Sequence, residues 1–352
     1  MSAVETRVPA ATRRPVGVGQ LSLVELRRFV ARSAVRWLLV GMLAVVGVMA
    51  YGAYSDTRPP TRAQLDSAQQ ALDEQLVYWE DGGGEQQIQD CLDAEAAERE
   101  RDPDAMVDFG CDQITPPQLD WFLPHRTTFA ESAASWISQV VTFGLMAALI
   151  IGATFVAAEF ATGSLSTWLT FEPRRGRVFA SKTAVAGVAA GVATLVQAAL
   201  TVGATWVASG LNDAHGEVTA ELWTQLAHGA LRAGGMGLAA AVIGAALAFL
   251  LRHTAAAIAV VFAWLAILET LLRVNVEWFA RWSVYLNMEA WLRGGLEEPI
   301  GPGSCTTDSS GVTSCDSEML IITMTQAGWY LLALVAVILV AAVLVFRRRD
   351  VS

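Results

Sequence analysis

The segment 176–183 comes close to a phosphate-binding loop, because its residues Gly-Arg-Val-Phe-Ala-Ser-Lys-Thr nearly fit the pattern GxxxxGK[ST]. Ser181 stands where that pattern needs a glycine for close approach of the backbone to phosphate. The segment also opens an apolar stretch instead of following a buried strand. We therefore assign no nucleotide binding to it, and any energy from ATP would have to come from a separate polypeptide.

Glu269 is the one acid that lies well within an apolar stretch, and charges inside a membrane are costly unless they are paired. Arg232 falls at a similar depth if successive apolar stretches cross in opposite directions, and Arg273 follows Glu269 by one helical turn. The sequence predicts an ion pair of Glu269 with Arg232 or Arg273, as an outer gate or a packing element. A proton relay is the alternative, although a relay needs a chain of partners.

Other chemistry finds little support in the residue spacing. The four histidines are scattered and no Cys-x-x-Cys pair is present, so a zinc site is not predicted. The acids of segment 56–131 lack EF-hand spacing. No nucleophile, base and orienting group occur together. We expect no catalytic residue, no metal ligand and no cofactor bound by this chain.

Four cysteines lie in two loops, Cys91 and Cys111 in one and Cys305 and Cys315 in the other. Four cysteines allow three pairings, and spacing alone does not choose among them. The local pairs Cys91–Cys111 and Cys305–Cys315 close the shorter loops and are the preferred prediction. Disulfides of this kind fit an oxidising exterior.

The composition places these residues in a membrane protein. The 352 residues are 54% hydrophobic and only 16% charged, whereas a soluble domain carries about a quarter charged residues. That excludes an ordinary cytosolic enzyme, a disordered chain and a nucleic-acid binder. Six apolar stretches are long enough to span a bilayer: 37–55, 132–158, 183–209, 228–251, 254–272 and 319–346. The predicted fold class is an all-α integral membrane protein with six transmembrane helices.

The charges predict which side each loop occupies. Arginines crowd the N-terminal segment, the loop 159–182, the turn at Arg252 and the tail 347–352, so the positive-inside rule makes both termini cytoplasmic. Segment 56–131 holds 18 acidic and 5 basic residues, although the whole chain has a net charge of only −10. We expect an acidic extracellular helical domain there. We interpret these acids as keeping an exposed domain soluble, with attraction of a cationic substrate as the alternative.

The remaining segments complete the predicted layout. Residues 1–19 are expected to form a flexible cytoplasmic arm, and 20–36 an interfacial helix that starts with a capping box at Ser22 and Glu25. A plain extension of the first span is the alternative for that helix. Segment 273–318 is predicted to be an extracellular loop, with tryptophans at the membrane interface and then a Gly/Ser/Thr-rich stretch.

The loop between spans two and three carries a family resemblance. It has an acid at the end of span two (Glu159), a glycine and a small hydroxyl residue (Gly163, Ser164), an apolar stretch, Pro173 with nearby arginines, and Lys182 opening span three. This pattern, with the six-span layout, resembles the permease subunits of type 2 ABC exporters. The long first outer domain departs from many members of that family, so no substrate follows from the resemblance.

The resemblance implies that this loop forms a coupling helix, which sits in a cleft of the ATP-binding subunit. Small residues would permit close approach, apolar residues would bury against the partner, and arginines would face partner acids or lipid headgroups. The arginines could equally serve only to fix the topology. The residues implied in coupling are Glu159, Gly163, Ser164, Leu165, Trp168, Leu169, Pro173, Arg174 and Arg177.

The expected function is therefore a permease in a bacterial plasma membrane. Two copies, or one copy and a paralogue, would form the substrate pathway among membrane lipids, and two ATP-binding subunits would hold ATP and magnesium. No nucleic acid is expected as a partner. A membrane sensor or assembly subunit, whose outer domain binds a partner, is the alternative. A secondary transporter is a third possibility, but it would need inverted repeats that the sequence does not show.

Overall fold

A computed structural model describes residues 18–101, 108–171, 173–307 and 313–349 of the chain. Six of its helical segments are long and apolar enough to cross a membrane. This agrees with the prediction of a helical, multi-pass membrane protein. The predicted arm 1–19 lies almost entirely outside the described residues.

The helices and strands follow one another in a simple order. The helices are α1 (Val18–Ala31), α2 (Ser33–Asp56), α3 (Arg62–Tyr78), α4 (Gly84–Arg101), α5 (Phe129–Ala161), α6 (Ser164–Phe171), α7 (Arg175–Gly210), α8 (Ala220–Leu251), α9 (Thr254–Phe262), α10 (Glu269–Asn275), α11 (Val284–Arg293) and α12 (Met324–Arg348). A π-helical stretch, Ala263–Leu268, joins α9 to α10 into one apolar segment. Two strands, β1 (Gly295–Thr307) and β2 (Thr313–Thr323), pair as an antiparallel hairpin.

Helices α5, α7 and α8 form the centre of the bundle. Alanine, glycine and valine dominate their sequences, and such small side chains let helices pack closely in an apolar environment. Several buried hydroxyl groups of α7 bond to its own backbone. Thr201 and Thr205, for example, each donate a hydrogen bond to the carbonyl oxygen four residues back, at 2.9 and 2.8 Å. Helices α2, α9 and α12 surround this centre and are far more exposed.

We name the two ends of the bundle by their charge. At the basic end α1 and α6 lie beside the start of α7 and the end of α12, where Arg175 donates to the carbonyl oxygen of Phe346 at 3.3 Å. At the acidic end α3 and α4 follow α2. Arg126 connects the two neighbouring loops there, since it donates to the carbonyl oxygens of Thr57 and Asn212.

The β-hairpin is the main departure from the predicted all-α fold. The apolar stretch that begins at Met319 was expected to open span six, but residues up to Thr323 belong to β2 and α12 begins at Met324. Side chains alternate there, because Leu320 and Ile322 are buried whereas Met319 and Ile321 are exposed. An alternation of period two favours a strand over a helix.

The N-terminal helix is also placed differently. Arg32 has an extended backbone, which separates α1 from α2, so the first span begins at Ser33 and not at residue 37. Helix α1 already begins at Val18, which puts Ser22 inside the helix. Ser22 is therefore not the N-cap residue that the predicted capping box with Glu25 requires, and the Glu25 carboxylate bonds elsewhere, as described below.

The acidic domain contains two helices separated by a kink. Gly82 adopts φ +99° in the π-helical stretch Trp79–Gly83 between α3 and α4, a conformation that favours glycine. A disulfide joins Cys91 of α4 to Cys111, with 5.8 Å between the Cα atoms. It closes the segment that follows α4 and does not join α3 to α4. Cys305 and Cys315 stand opposite each other in the register of the β-hairpin, and their disulfide stays a prediction.

Candidate functional site at the basic end

Helix α6 lies in a tight connection between two long helices. Gly163, at φ +66°, follows the end of α5 in the left-handed conformation, which accounts for a glycine at this position. A Cβ atom there would meet nothing within 4 Å. Conformation, and not close packing within this chain, is therefore the reason for glycine in this structure.

The residues of α6 divide into a buried and an exposed face. Leu165 is only 1% exposed and packs in the core formed by α5, α7 and α8, with Trp168 and Leu169 partly buried against the same core. Leu165 is thus already buried within its own chain and cannot also bury against a partner. The exposed face carries hydroxyl groups, from Ser164, Thr167 and Thr170.

Four charged residues meet directly behind this connection. The Lys182 ammonium bonds both carboxylate oxygens of Glu25, at 2.9 and 3.0 Å. It also forms an ion pair with Oε2 of Glu159 at 2.7 Å, outside hydrogen-bond geometry. Arg32 bonds Oε1 of Glu159 at 3.1 Å and the carbonyl oxygen of Thr154 at 3.0 Å. We call Glu25, Arg32, Glu159 and Lys182 the charge cluster.

The charge cluster is buried and electrically balanced. Lys182 and Glu25 are fully buried and Glu159 is 3% exposed, while Arg32 retains some contact with solvent. Two acids face two bases, which is the arrangement a buried charge requires. The ring of Phe155 forms one wall, with the Arg32 guanidinium 5.1 Å and the Lys182 ammonium 5.3 Å from its centre.

Lysine suits the central position for a geometric reason. Lys182 is the only lysine of the chain, and arginine supplies all its other strongly basic side chains. Its compact ammonium group has three donors and lies within 3.0 Å of three carboxylate oxygens. A guanidinium at this fully buried position would need more space and a planar arrangement of acceptors.

The charge cluster joins the elements that flank α6. Glu25 and Arg32 belong to α1 and its end, Glu159 to the last turns of α5, and Lys182 to the first turns of α7. Arg28 of α1 also lies over the ring of Trp168 in α6, at 4.4 Å. The charge cluster thus joins α1, α5 and α7 to one another beside α6.

The remaining residues of the predicted coupling set lie beside this cluster. Pro173 and Arg174 are exposed, and Arg177 is partly buried, at the start of α7. All three line a groove that opens at the basic end next to Arg347. The structure thus places the whole predicted set at one end, around α6.

Glu269 lies at the opposite end and has partners other than the predicted ones. Its Oε1 accepts hydrogen bonds from the Ser283 hydroxyl and from the backbone N–H of Tyr285, both at 2.5 Å. Ser283 and Tyr285 open α11, so the carboxylate caps that helix, whose N-terminus carries a partial positive charge. The helix end thereby takes the place of a basic side chain.

The two arginines expected beside Glu269 have other contacts in the described part of the chain. Arg232 donates to the carbonyl oxygen of Leu292 at 3.2 Å. Arg273 lies 5.3 Å from the ring centre of Tyr285. Burial and the nearby carboxylate of Glu289 raise the pKa of the Tyr285 phenol, so this ring stays neutral at physiological pH.

Replacing Glu269 with alanine is expected to lower the free energy of unfolding by about 2 kcal/mol, because a charge-assisted hydrogen bond and a helix cap are lost. Glu289→Ala provides a control on the same helix α11, since the contacts of Glu289 with Arg293 and with the Tyr285 phenol are not a helix cap, and it should cost less than about 1 kcal/mol. Thermal unfolding of the purified chain in detergent measures both. Equal losses for the two variants would contradict the capping role.

Comparison with known proteins gives no relative. No family model, no curated protein and no solved structure matches the chain. Within the ranges that the structure describes, no group of three or more His, Cys, Asp or Glu residues is arranged to hold a metal ion.

Proposed function

We propose that this chain is the permease subunit of an ATP-driven exporter of the type 2 ABC class, in a bacterial plasma membrane with the basic end in the cytoplasm. One observation carries the proposal: a buried charge cluster fastens α1, α5 and α7 around a short helix whose outward face is exposed. That arrangement is suited to receive a push at α6 and to deliver it to the spans.

The transmission follows from the contacts around α6. Leu165 anchors α6 in the core, while only a few residues connect α6 to α5 and α7. A partner that moves α6 therefore moves the basic ends of two central spans. Glu159 and Lys182 hold those ends together, and Glu25 makes α1 move with them.

ATP is bound and hydrolysed by other chains. Two ATP-binding subunits with ATP and magnesium dock on the α6 faces of two permeases, the second being a copy or a paralogue. Closure of the ATP-binding subunits switches the permeases between inward and outward access. The exposed sides of α2, α9 and α12 are available for the second permease and for lipid, and the substrate passes between the two permeases.

Co-purification with a P-loop ATPase encoded in a neighbouring reading frame tests this function. Glutamates in place of Ser164, Thr167 and Thr170 alter only the exposed face of α6 and leave Leu165 in the core. We expect this triple variant to retain less than about a tenth of the ATPase that the wild type retains, the equivalent of at least about 1.4 kcal/mol of binding. ATP turnover of the complex should fall in parallel.

Ser67→Glu serves as the control, because Ser67 is an exposed hydroxyl residue on α3 at the acidic end. It should leave the complex unchanged. Undiminished capture of the ATPase by the triple variant would refute the coupling role. Absence of any complex with the wild type would favour the sensor or assembly subunit instead.

A further inference from the structure

A second feature of the basic end is a groove in which four of the six lining residues are arginines. It has a volume of about 510 Å³ and lies where α7 begins and α12 ends. We call it the arginine groove, and its lining residues are Pro173, Arg174, Arg175, Gly176, Arg177 and Arg347. Four of these six residues are arginines, and such a concentration of guanidinium groups favours the binding of an anion.

The contacts of Arg175 and Arg347 explain why the arginines converge. Arg175 donates to the carbonyl oxygens of Phe346 at 3.3 Å and of Arg349 at 2.5 Å, and so binds the start of α7 to the end of α12. A Cβ atom on Gly176 would lie 3.0 Å from Nη2 of Arg347. The glycine thus lets the Arg347 guanidinium lie directly against the first turn of α7.

The start of α7 adds to the positive potential. Arg174, the N-cap residue of this helix, makes no side-chain capping hydrogen bond. The N-terminal amides of a helix attract anions, above all phosphate. Arg347 is held against this helix end, which is an unfavourable place for a cation until an anion lies between them.

A separate apolar groove extends along the same helix towards the middle of the span. It has a volume of about 430 Å³ on the surface of α12, and its lining residues are Ala336, Val337, Val340, Ala341 and Leu344. Val340, Leu344 and Arg347 follow one another at spacings of four and three, so they share one face of the helix. The apolar groove therefore leads to the guanidinium of Arg347.

The two grooves together have the shape and chemistry of a phospholipid. The arginine groove lies at the basic ends of the candidate spans Arg175–Gly210 and Met324–Arg348, where a bilayer that these helices cross would place its headgroups. We propose that the arginine groove binds the headgroup phosphate of an anionic phospholipid, and that the apolar groove on α12 holds one of its acyl chains. This proposal does not depend on the ATP-binding subunits.

Lipid binding to the purified full-length chain tests the proposal. The chain in neutral detergent is titrated with dioleoylphosphatidylglycerol or dioleoylphosphatidylcholine, and bound lipids are counted by native mass spectrometry. We expect Arg347→Gln to weaken phosphatidylglycerol binding roughly fivefold, since one basic residue near an anionic lipid contributes about 1 kcal/mol. Val340→Trp fills the apolar groove without changing charge and should weaken the same binding by a similar factor.

Two variants control for charge and bulk elsewhere. Arg36→Gln removes an exposed arginine near the start of α2, and Val48→Trp adds a tryptophan to the exposed face of α2. Both should leave phosphatidylglycerol binding within about twofold of the wild type, an energy difference of about 0.4 kcal/mol. Unchanged phosphatidylcholine binding by Arg347→Gln shows that this variant keeps its fold.

The competing sources of phosphate give different results. Phosphatidylcholine should bind more weakly than phosphatidylglycerol and should not respond to Arg347→Gln, and inorganic phosphate in millimolar amounts should not displace phosphatidylglycerol. Complete displacement by inorganic phosphate would overturn the lipid assignment in favour of a simple anion site. Equal binding of both lipids, or full binding by Val340→Trp, would overturn it in favour of unspecific surrounding lipid.

Discussion

Replacing Lys182 with methionine is expected to lower the free energy of unfolding by about 3–5 kcal/mol, the usual cost of removing one partner from a buried ion pair. Methionine fills a similar volume but leaves the carboxylates of Glu25 and Glu159 buried with only Arg32 to compensate them. Thermal unfolding in detergent measures the loss. A change below about 1 kcal/mol, the usual size for a surface pair, would contradict a buried cluster.

A second pair of variants separates charge from volume. Lys182→Met combined with Glu25→Gln leaves Glu159 paired with Arg32 and no net charge in the cluster, and should recover most of the lost stability, because replacing a whole buried ion pair is often nearly neutral. Lys182→Arg keeps the charge but should still destabilise the fold. The three carboxylate oxygens surround a single nitrogen atom, and a larger, planar guanidinium does not fit that arrangement.

The single lysine offers a control that needs no variant. Lys182 is fully buried, so an amine-reactive reagent should leave it unmodified in the folded chain and modify it once the chain is unfolded. Peptide mapping distinguishes this site from the N-terminal amine. Rapid modification of the folded chain would show that the cluster is open, whatever the stability of the variants.

Two residues of the loop that carries the family resemblance, Glu159 and Lys182, also belong to the charge cluster. Glu159 and Lys182 stood out in the sequence only as members of a loop pattern. Their pairing with Glu25 and Arg32 depends on the packing of α1 against α7, which no local pattern encodes. A signal was nevertheless present, because Glu25, Phe29 and Arg32 follow one another in the sequence at spacings of four and three.

Glu25 illustrates how a local motif is overridden by tertiary contacts. Its spacing from Ser22 fits a capping box, which contributes only about 1 kcal/mol. A bond to a buried ammonium is worth more than that, and α1 begins at Val18, well before the motif. The more favourable interaction decides where the carboxylate lies, and the motif has no influence on the start of the helix.

The spans themselves could be predicted because hydropathy is a sum over some 20 residues. That sum fails where a strand and a helix share one apolar stretch. Residues 319–323 are as apolar as the start of α12, but they form the end of β2. Glu269 shows the same limit for polar groups. The sequence indicates that this carboxylate needs a partner, but the N-terminus of α11 is a partner that carries no charged side chain.

The packing of α5 against α8 yields the second large prediction. Two glycines allow the backbones to meet, because a Cβ atom on Gly152 would collide with the carbonyl oxygen of Ala241, and one on Gly244 with that of Leu149. Gly244→Ala is expected to lower the free energy of unfolding by about 2–3 kcal/mol, since backbone atoms cannot move aside as a side chain can.

Gly235→Ala is the matched control, because Gly235 lies on the same helix α8 and a Cβ atom there would meet nothing within 4 Å. Alanine is the better helix former by about 1 kcal/mol. The control should therefore leave the stability unchanged or raise it, opposite in sign to Gly244→Ala. Losses of similar size in both variants would show that close contact between α5 and α8 is not the cause.

The double variant Gly152→Ala, Gly244→Ala tests the same contact more strictly. Both glycines determine the same distance, that between α5 and α8. If the first alanine forces the two helices apart, the Cβ atom of the second alanine meets less steric conflict. Residues coupled through a shared backbone shift show interaction energies of about 0.5–3 kcal/mol. We therefore expect the combined loss to be smaller than the sum of the two single losses. Strict additivity would mean that each alanine is accommodated locally, and that the two helices keep their separation.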